Sequence, residues 1–257
     1  YDIADGDWSS DVCSSDLPAP PRDSQSSYVS PHSMIAVQPP LYFPPLAYTA
    51  LLDHVDHFVL ADTFRYRAQS FQNRSKLRNA QGAHWITIPL FGQPTGAPFR
   101  DVEIETGGRW REKHWRSFMY DYRTTMYFEF FEEQFRPFFE KEWTNLAECT
   151  SRSVELQADL FGIDTPLTRA STLDGAPATL PDIVAAVGAD ALAVAASADL
   201  SSDLDLPVDV IHYDHPEYRQ NFEGFEPGMT GMDLLFNYGR EAPRILASGL
   251  AAPSASA

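Results

Sequence analysis

The sequence predicts an α/β fold with a Rossmann-like, mostly parallel sheet and a helical insertion. Short apolar runs typical of buried strands alternate with segments of helical spacing, which is the pattern of parallel sheets. Residues 110–162 are rich in aromatic side chains and almost free of glycine, and this stretch indicates the insertion. The chain has 257 residues, 44% of them hydrophobic, which is enough for one sizeable core.

The first part of the chain gives the clearest strand signals. Residues 34–37 form an apolar run and predict the first strand, and 46–55 show helical spacing. Residues 57–62 predict a second strand that ends in an acid. Residues 83–90 and 99–106 alternate between polar and apolar side chains, which is typical of half-exposed strands, and we expect the latter to be an edge strand.

The second part continues the alternation. Residues 110–162 predict two or three packed helices, interrupted only by Pro137. The further predicted elements, in chain order, are a strand at 165–170, a helix at 180–187, strands at 190–195 and 208–213, and a short helix at 232–238. Thr230 is placed to cap that last helix.

Both ends of the chain differ in composition from the rest. Residues 1–17 lack periodicity and resemble a translated sequencing-adapter read, and a Pro/Ser-rich segment follows them. We expect residues 1–33 to be a disordered or artefactual leader, with Met34 as the functional start. A single α/β domain is then expected at 34–245, and a disordered tail at 246–257.

Charge and composition exclude several classes of function. The formal net charge is −17, whereas general nucleic-acid binders are usually basic, so we expect no nucleic-acid partner. No apolar run approaches the roughly 18–20 residues that span a bilayer, so we expect no stable membrane insertion. The two cysteines give no disulfide framework and Cys149 is expected to be buried, which favours a cytoplasmic location.

The loop after the first strand is the first candidate site. In open parallel sheets, ligands bind beyond the carboxyl ends of the strands. The stretch QPPLYFPPLAY holds four prolines, which fix the backbone and leave few N–H donors. Recognition here must therefore come from side chains, and we expect Gln38, Tyr42 and Tyr48 to shape a pocket, unless the aromatic rings only fill the core. Asp62, the acid that ends the second predicted strand, lies at the same edge of the sheet and is a further candidate.

A basic segment is the second candidate. Residues 63–99 contain five bases and no acid, a local reversal of sign that would attract a phosphate or carboxylate. Arg74 beside Asn73 could offer a forked donor and an amide to one ligand. The alternative is a solvated helix face. The five bases are Arg65, Arg67, Arg74, Lys76 and Arg78.

Two later stretches supply the remaining candidates. His114 lies in a predicted helix and is the best single general acid/base candidate, since imidazole titrates near neutral pH; a structural histidine is the alternative. Tyr218, Gln220 and Asp233 are polar groups on or beside a loop that precedes the last helix, and the alternative is that this stretch only closes the domain. Short His/Asp spacings occur, but there is no cysteine pair and no HExxH motif, so we predict no metal site.

Seven short motifs in a fixed order resemble the WbqC-like family. They are Q-P-x-x-Y-F-P-x-x-x-Y, F-V-x-x-D, Q-N-R, W-x-T-I-P-L, K-H-W, H-P-x-Y-x-Q and D-L-L-F-N-x-G. The resemblance adds Gln72 to the candidate substrate-binding residues, which are Gln38, Tyr42, Tyr48, Gln72, Asn73, Arg74, Tyr218, Gln220 and Asp233. Two departures affect expected specificity: Ala61 stands where members often carry an acid, and residues 195–206 lack the usual glycine and tyrosine.

The resemblance implies a role in bacterial surface-polysaccharide synthesis of the O-antigen type. It implies transfer of a glycyl or other small acyl group to an amino sugar on a nucleotide carrier. In that hypothesis, His114 deprotonates the amine, Asp62 orients it, and Arg74 with Asn73 binds phosphate or carboxylate.

Two alternatives stay open. One is a nucleotidyl- or adenylyl-transferring enzyme that uses ATP with Mg²⁺, and the other is a non-catalytic sugar-nucleotide-binding protein of an assembly. A homo-oligomer or a glycosyltransferase partner is compatible with either.

Overall fold

The computed structural model describes residues 33–196 and 204–250. Within these residues, five strands form one parallel sheet in the order β5-β2-β1-β6-β7, which confirms the predicted fold class. The strands are β1 (Met34–Gln38), β2 (His57–Leu60), β5 (Leu167–Arg169), β6 (Ala191–Ala195) and β7 (Val208–Ile211). The expected leader lies outside the described residues, apart from Ser33, as do 197–203 and 251–257.

Side-chain alternation explains why the two central strands are buried on both faces. Ile35 and Val37 point to one side of β1, where α6 (Leu180–Val187) packs, and Ala36 points to the other. In β2, Phe58 and Leu60 share the face of Ala36. A strand with apolar residues at every position needs both faces covered, as parallel sheets do.

The strand order creates a switch point at β1. The chain moves from β1 to β2 and β5 on one side, then returns to β6 and β7 on the other side. The carboxyl ends of β1 and β6 therefore diverge, and such crevices are the usual ligand positions in doubly wound sheets. Gln38 is the last residue of β1 and stands at this point.

The crossover from β2 to β5 contains the predicted helical insertion. It opens with a separate antiparallel hairpin, β3 (Arg74–Asn79) and β4 (Gly82–Thr87), joined by residues 80 and 81. Four helices follow, α2 (Trp110–Tyr122), α3 (Phe128–Phe135), α4 (Pro137–Glu140) and α5 (Leu146–Phe161). Aromatic side chains fill their interior, and the Phe118 and Phe135 rings stand 4.8 Å apart, edge to face.

One strand prediction in this insertion was wrong, and one strand was not predicted. Residues 99–106 do not form an edge strand: Phe99–Asp101 is a 3-10 turn, and Glu103 and Ile104 make only isolated bridges. Strand β3 was not predicted, because its buried positions hold Ser75, Leu77 and Arg78, of which only Leu77 is apolar. A single apolar side chain on the inner face gave too weak an alternation to indicate a strand.

The remaining helices close the domain. They are α1 (Leu46–His54), α7 (Gly231–Tyr238) and α8 (Ala242–Ser248). The Thr230 side chain accepts a hydrogen bond from the Met232 N–H, as predicted for a cap. Helix α8 continues to Ser248, three residues into the segment expected to be a disordered tail. Cys149 is buried, as expected, and no helix of the described part is long and apolar enough to cross a bilayer.

Candidate functional site

Asp62 ties the carboxyl ends of two strands together. It follows β2 by two residues, is 1% exposed, and accepts hydrogen bonds from the Ser171 backbone N–H at 2.8 Å and from its hydroxyl at 2.5 Å. Ser171 belongs to the 3-10 turn Ala170–Thr172 that directly follows β5. The predicted orienting carboxylate therefore lies at the expected edge of the sheet, with each oxygen already bonded within the chain.

Gln38 offers a free amide at the same edge. Its backbone carbonyl accepts from the Ala61 N–H at 2.8 Å, which holds β1 and the start of the Asp62 loop side by side. Its side chain is half-buried and hydrogen-bonds to no other described residue. The neighbouring Tyr48 hydroxyl, by contrast, donates to the Pro39 carbonyl at 3.2 Å, and burial raises its pKa. We call Gln38, Tyr48, Asp62 and Ser171 the sheet-edge cluster.

His114 is held between a hydroxyl and a carbonyl. Its Nε2 lies 3.2 Å from the Thr87 carbonyl oxygen, which can only accept, so the proton is on Nε2. Its Nδ1 then accepts from the Tyr42 hydroxyl at 2.9 Å. Burial lowers the pKa of His114 to about 4, although the Thr87 carbonyl opposes that shift. The imidazole is thus neutral near pH 7.

This geometry bears on the predicted role of His114. Both ring nitrogens are bonded within the chain, the side chain is 5% exposed, and the Trp110 ring packs on it at 5.1 Å. A substrate amine would reach Nδ1 only if Tyr42 moved away. The described arrangement favours a positioning role, in which His114 fixes the backbone of Thr87 at the end of β4.

The Q-N-R motif closes the open end of the hairpin. Gln72 Oε1 accepts from the Arg67 N–H at 2.7 Å. Asn73 Nδ2 donates to the Ile88 carbonyl at 3.1 Å, and the Asn73 carbonyl accepts from the Ile88 N–H at 2.8 Å. The amide NH₂ of Asn73 therefore already has an acceptor within the chain, and Arg74 is the member of the motif that faces outward.

Arg74 is fixed in place by an aromatic ring. Its guanidinium carbon lies 4.1 Å from the centroid of the Trp85 ring. One terminal nitrogen donates to the Gln69 carbonyl, while Nε is buried and has no partner. The Tyr42 N–H donates to the Phe71 carbonyl at 2.9 Å, which joins this end of the hairpin to the proline-rich loop. We call Tyr42, Gln72, Asn73, Arg74, Thr87 and His114 the hairpin cluster.

Tyr218, Gln220 and Asp233 form a third, buried cluster. Asp233 is 0% exposed, and its Oδ2 accepts from the Tyr218 hydroxyl at 2.8 Å and from Gln220 Nε2 at 3.1 Å. Oδ1 has no partner. Burial raises the pKa of Asp233 to about 6, against the lowering effect of the hydrogen bonds from Tyr218 and Gln220. These side chains connect α7 to the segment before it and do not line a loop surface.

The structure thus brings the predicted residues together in two neighbouring clusters and one separate network. Contacts that sequence reasoning missed include Ser171 and Thr87. Ser171 carried no signal, because its partner is 109 positions away. Thr87 stands inside the W-x-T-I-P-L motif, and the motif was its only signal. The described residues contain no group of three or more His, Cys, Asp or Glu side chains arranged to hold a metal ion.

The basic segment keeps its positive charge. None of its five bases forms an ion pair with a described acid, whereas bases on the helices do, as Arg116 with Glu112 and Arg152 with Glu155. Surface depressions on the insertion, such as the one between Phe91, Glu103 and Asn145, are lined by other residues than those of the three clusters. The candidate site is therefore defined by its polar side chains and charge.

A five-stranded parallel sheet with helices packed on it and a switch point at β1 defines an α/β domain of the Rossmann-like class. Comparison with protein families matches residues 38–245 to the WbqC-like protein family, and the chain belongs to that family. It is 29% identical over 226 residues to a Mycobacterium tuberculosis protein, "Uncharacterized protein Rv1507c", covering 82% of this chain and 96% of the relative. No solved structure matches the chain significantly.

Proposed function

We propose that this protein transfers a glycyl or other small acyl group to the amine of a nucleotide-linked amino sugar, in bacterial surface-polysaccharide synthesis of the O-antigen type. The observation that carries the proposal is the unpartnered Gln38 amide, which stands beside Asp62 at the carboxyl edge of the sheet. The resemblance to the WbqC-like family supports the reaction and the pathway class.

In this mechanism, the sugar amine attacks the carbonyl carbon of an activated acyl donor, a thioester or an acyl phosphate. A C–N bond forms and the bond from the acyl carbon to the donor's sulfur or oxygen breaks. The amine proton leaves with the departing group. Gln38 hydrogen-bonds to the sugar, Asp62 orients the amine or a hydroxyl, and His114, through Thr87, holds the adjoining hairpin in place.

The test is a transfer assay with the full chain. Nucleotide-linked amino sugars are incubated with glycyl or acetyl thioesters, or with glycine, ATP and Mg²⁺, and the products are identified by mass spectrometry. We expect one acylated sugar nucleotide, with turnover reduced at least tenfold in Gln38→Ala. The control is Arg152→Ala, which removes an exposed cation from α5. A folded protein that yields no acylated product with any pair would contradict the proposal.

One observation favours a second candidate, a sugar-nucleotide-binding protein without turnover. The imidazole of His114 has no free nitrogen, and both oxygens of Asp62 are bonded to Ser171. Such a protein would bind the amino-sugar nucleotide tightly, and acyl transfer would occur only when a partner enzyme is added. Binding without product in the assay above would support this candidate.

A further inference from the structure

One face of the β3–β4 hairpin is open and carries unpaired positive charge. Residues opposite each other in an antiparallel pair point to the same face. The register pairs Arg74 with Thr87 and Lys76 with Trp85, so these four side chains share one face. We call them the open hairpin face. The intervening Ser75, Leu77 and Ile86 are buried on the opposite face.

The other end of the same face is closed. The Arg78 guanidinium donates to the Glu223 carbonyl at 2.7 Å and to the Gly82 carbonyl at 3.2 Å, and it lies 5.7 Å from the Phe222 ring. Residues 222 and 223 therefore cover the hairpin near its turn. The positive charge that remains accessible is at the Arg74 end, beside the Q-N-R motif.

The Arg74 side chain is preorganised for binding an anion. Trp85 and the Gln69 carbonyl already fix the position of its guanidinium, so little side-chain freedom is lost on binding. Its Nε–H is buried without an acceptor among the described residues, and a buried donor favours a partner. Lys76 Nζ has only a contact of 3.5 Å to the Pro227 carbonyl. Two cations and the exposed Thr87 thus share one face of the hairpin, and this set of donors suits phosphate oxygens.

An aromatic surface adjoins these cations. Trp85 is 40% exposed, and its ring meets the half-buried Phe71 ring edge to face at 5.0 Å. Planar bases stack on such rings with little dependence on base identity. Paired phosphate-binding cations beside an exposed aromatic ring match the chemistry of a nucleoside diphosphate.

We propose that the open hairpin face binds the nucleoside diphosphate part of a nucleotide-linked ligand. Arg74 and Lys76 contact the phosphate oxygens, Thr87 donates its hydroxyl to one of them, and the base lies against Trp85. The inference rests on the proposed function in taking a nucleotide-linked sugar as the ligand. Binding, however, requires no acyl transfer, so the two can fail separately.

The experiment titrates the full chain with uridine diphosphate, inorganic pyrophosphate and uridine, by calorimetry and by tryptophan fluorescence. We expect uridine diphosphate to bind at least tenfold more tightly than either fragment and more weakly as salt increases. Arg74→Ala and Lys76→Ala should each raise its Kd at least tenfold. Trp85→Phe keeps an aromatic ring but should abolish the fluorescence change on binding. Trp85→Ala should weaken the binding of uridine diphosphate and leave the binding of pyrophosphate unchanged.

Controls keep the result interpretable. Arg152→Ala removes a more exposed arginine from helix α5 and should leave the Kd unchanged. Melting temperatures verify that each variant folds. Unchanged affinity in folded Arg74→Ala and Lys76→Ala, or pyrophosphate binding as tight as that of uridine diphosphate, would overturn the inference. If these variants lose nucleotide binding and the wild-type protein yields no transfer product, the proposed reaction is rejected and the nucleotide-binding site is supported.

Discussion

The Tyr42 hydroxyl donates to Nδ1 of His114 at 2.9 Å, deep between the proline-rich loop and helix α2. Since His114 also donates to the Thr87 carbonyl, the pair links the loop after β1 to the end of β4. This connection holds the hairpin cluster together, because Tyr42 and His114 come from separate sequence motifs and both help to fix the end of β4.

Removing the Tyr42 hydroxyl tests this link. Tyr42→Phe leaves Nδ1 of a buried imidazole without a donor, and such a group costs about 1–3 kcal/mol. We expect the free energy of unfolding, measured by urea titration, to fall by about that amount. Tyr48→Phe is the matched control, because its hydroxyl makes a longer bond of 3.2 Å to a carbonyl. Equal, negligible losses in both variants would contradict the link.

Low pH should weaken the fold through His114. Its pKa in the folded protein is about 4, below the ordinary 6.5. The unfolded chain therefore binds more protons between these values, so the contribution of this group is complete above pH 6.5 and is lost as the pH falls towards 4. The contribution is on the order of 3 kcal/mol. His114→Gln should flatten the free energy of unfolding over this window, and an unchanged profile would contradict a buried neutral imidazole.

Asp233 should make the folded protein less stable as the pH rises, the opposite of the effect of His114. Its pKa is raised from 3.8 to about 6 in the folded protein, so the folded chain binds more protons between these values. The stabilisation is complete below pH 3.8 and is lost as the pH rises through 6. Asp233→Asn should therefore destabilise the protein less at pH 8 than at pH 5, in urea titrations at both values. A larger loss at pH 8 would indicate an ionised carboxylate with an unseen cationic partner.

The Asp62–Ser171 contact should couple the ends of β2 and β5. Asp62→Ala leaves the Ser171 N–H and hydroxyl without acceptors, whereas Ser171→Ala removes only one of the two bonds. We expect a loss of about 1–3 kcal/mol for the first and less for the second. A double-mutant cycle should show coupling above about 0.5 kcal/mol. Additive losses would mean that the contact contributes nothing.

The strands that the sequence predicts best are those with apolar residues at every position, such as Phe58 to Leu60, because burial on both faces leaves a continuous run. Ser75 and Leu77 illustrate the opposite case, since a half-covered hairpin between charged neighbours has little pattern. For the candidate site, the places of Asp62 and Gln38 at predicted strand ends are what indicate them in the sequence. The burial of His114 and Asp233 depends on packing by distant segments, which no local spacing reveals.

The central claim is that one nucleotide-linked amino sugar spans the sheet-edge cluster and the open hairpin face. The most direct measurement compares the Kd of a uridine-diphosphate amino sugar with that of uridine diphosphate in Gln38→Ala and Arg74→Ala. We predict that Gln38→Ala raises the Kd of the sugar nucleotide only, and that Arg74→Ala raises the Kd of both ligands. Equal effects of Gln38→Ala on the two ligands, or no effect of either variant, would contradict the account.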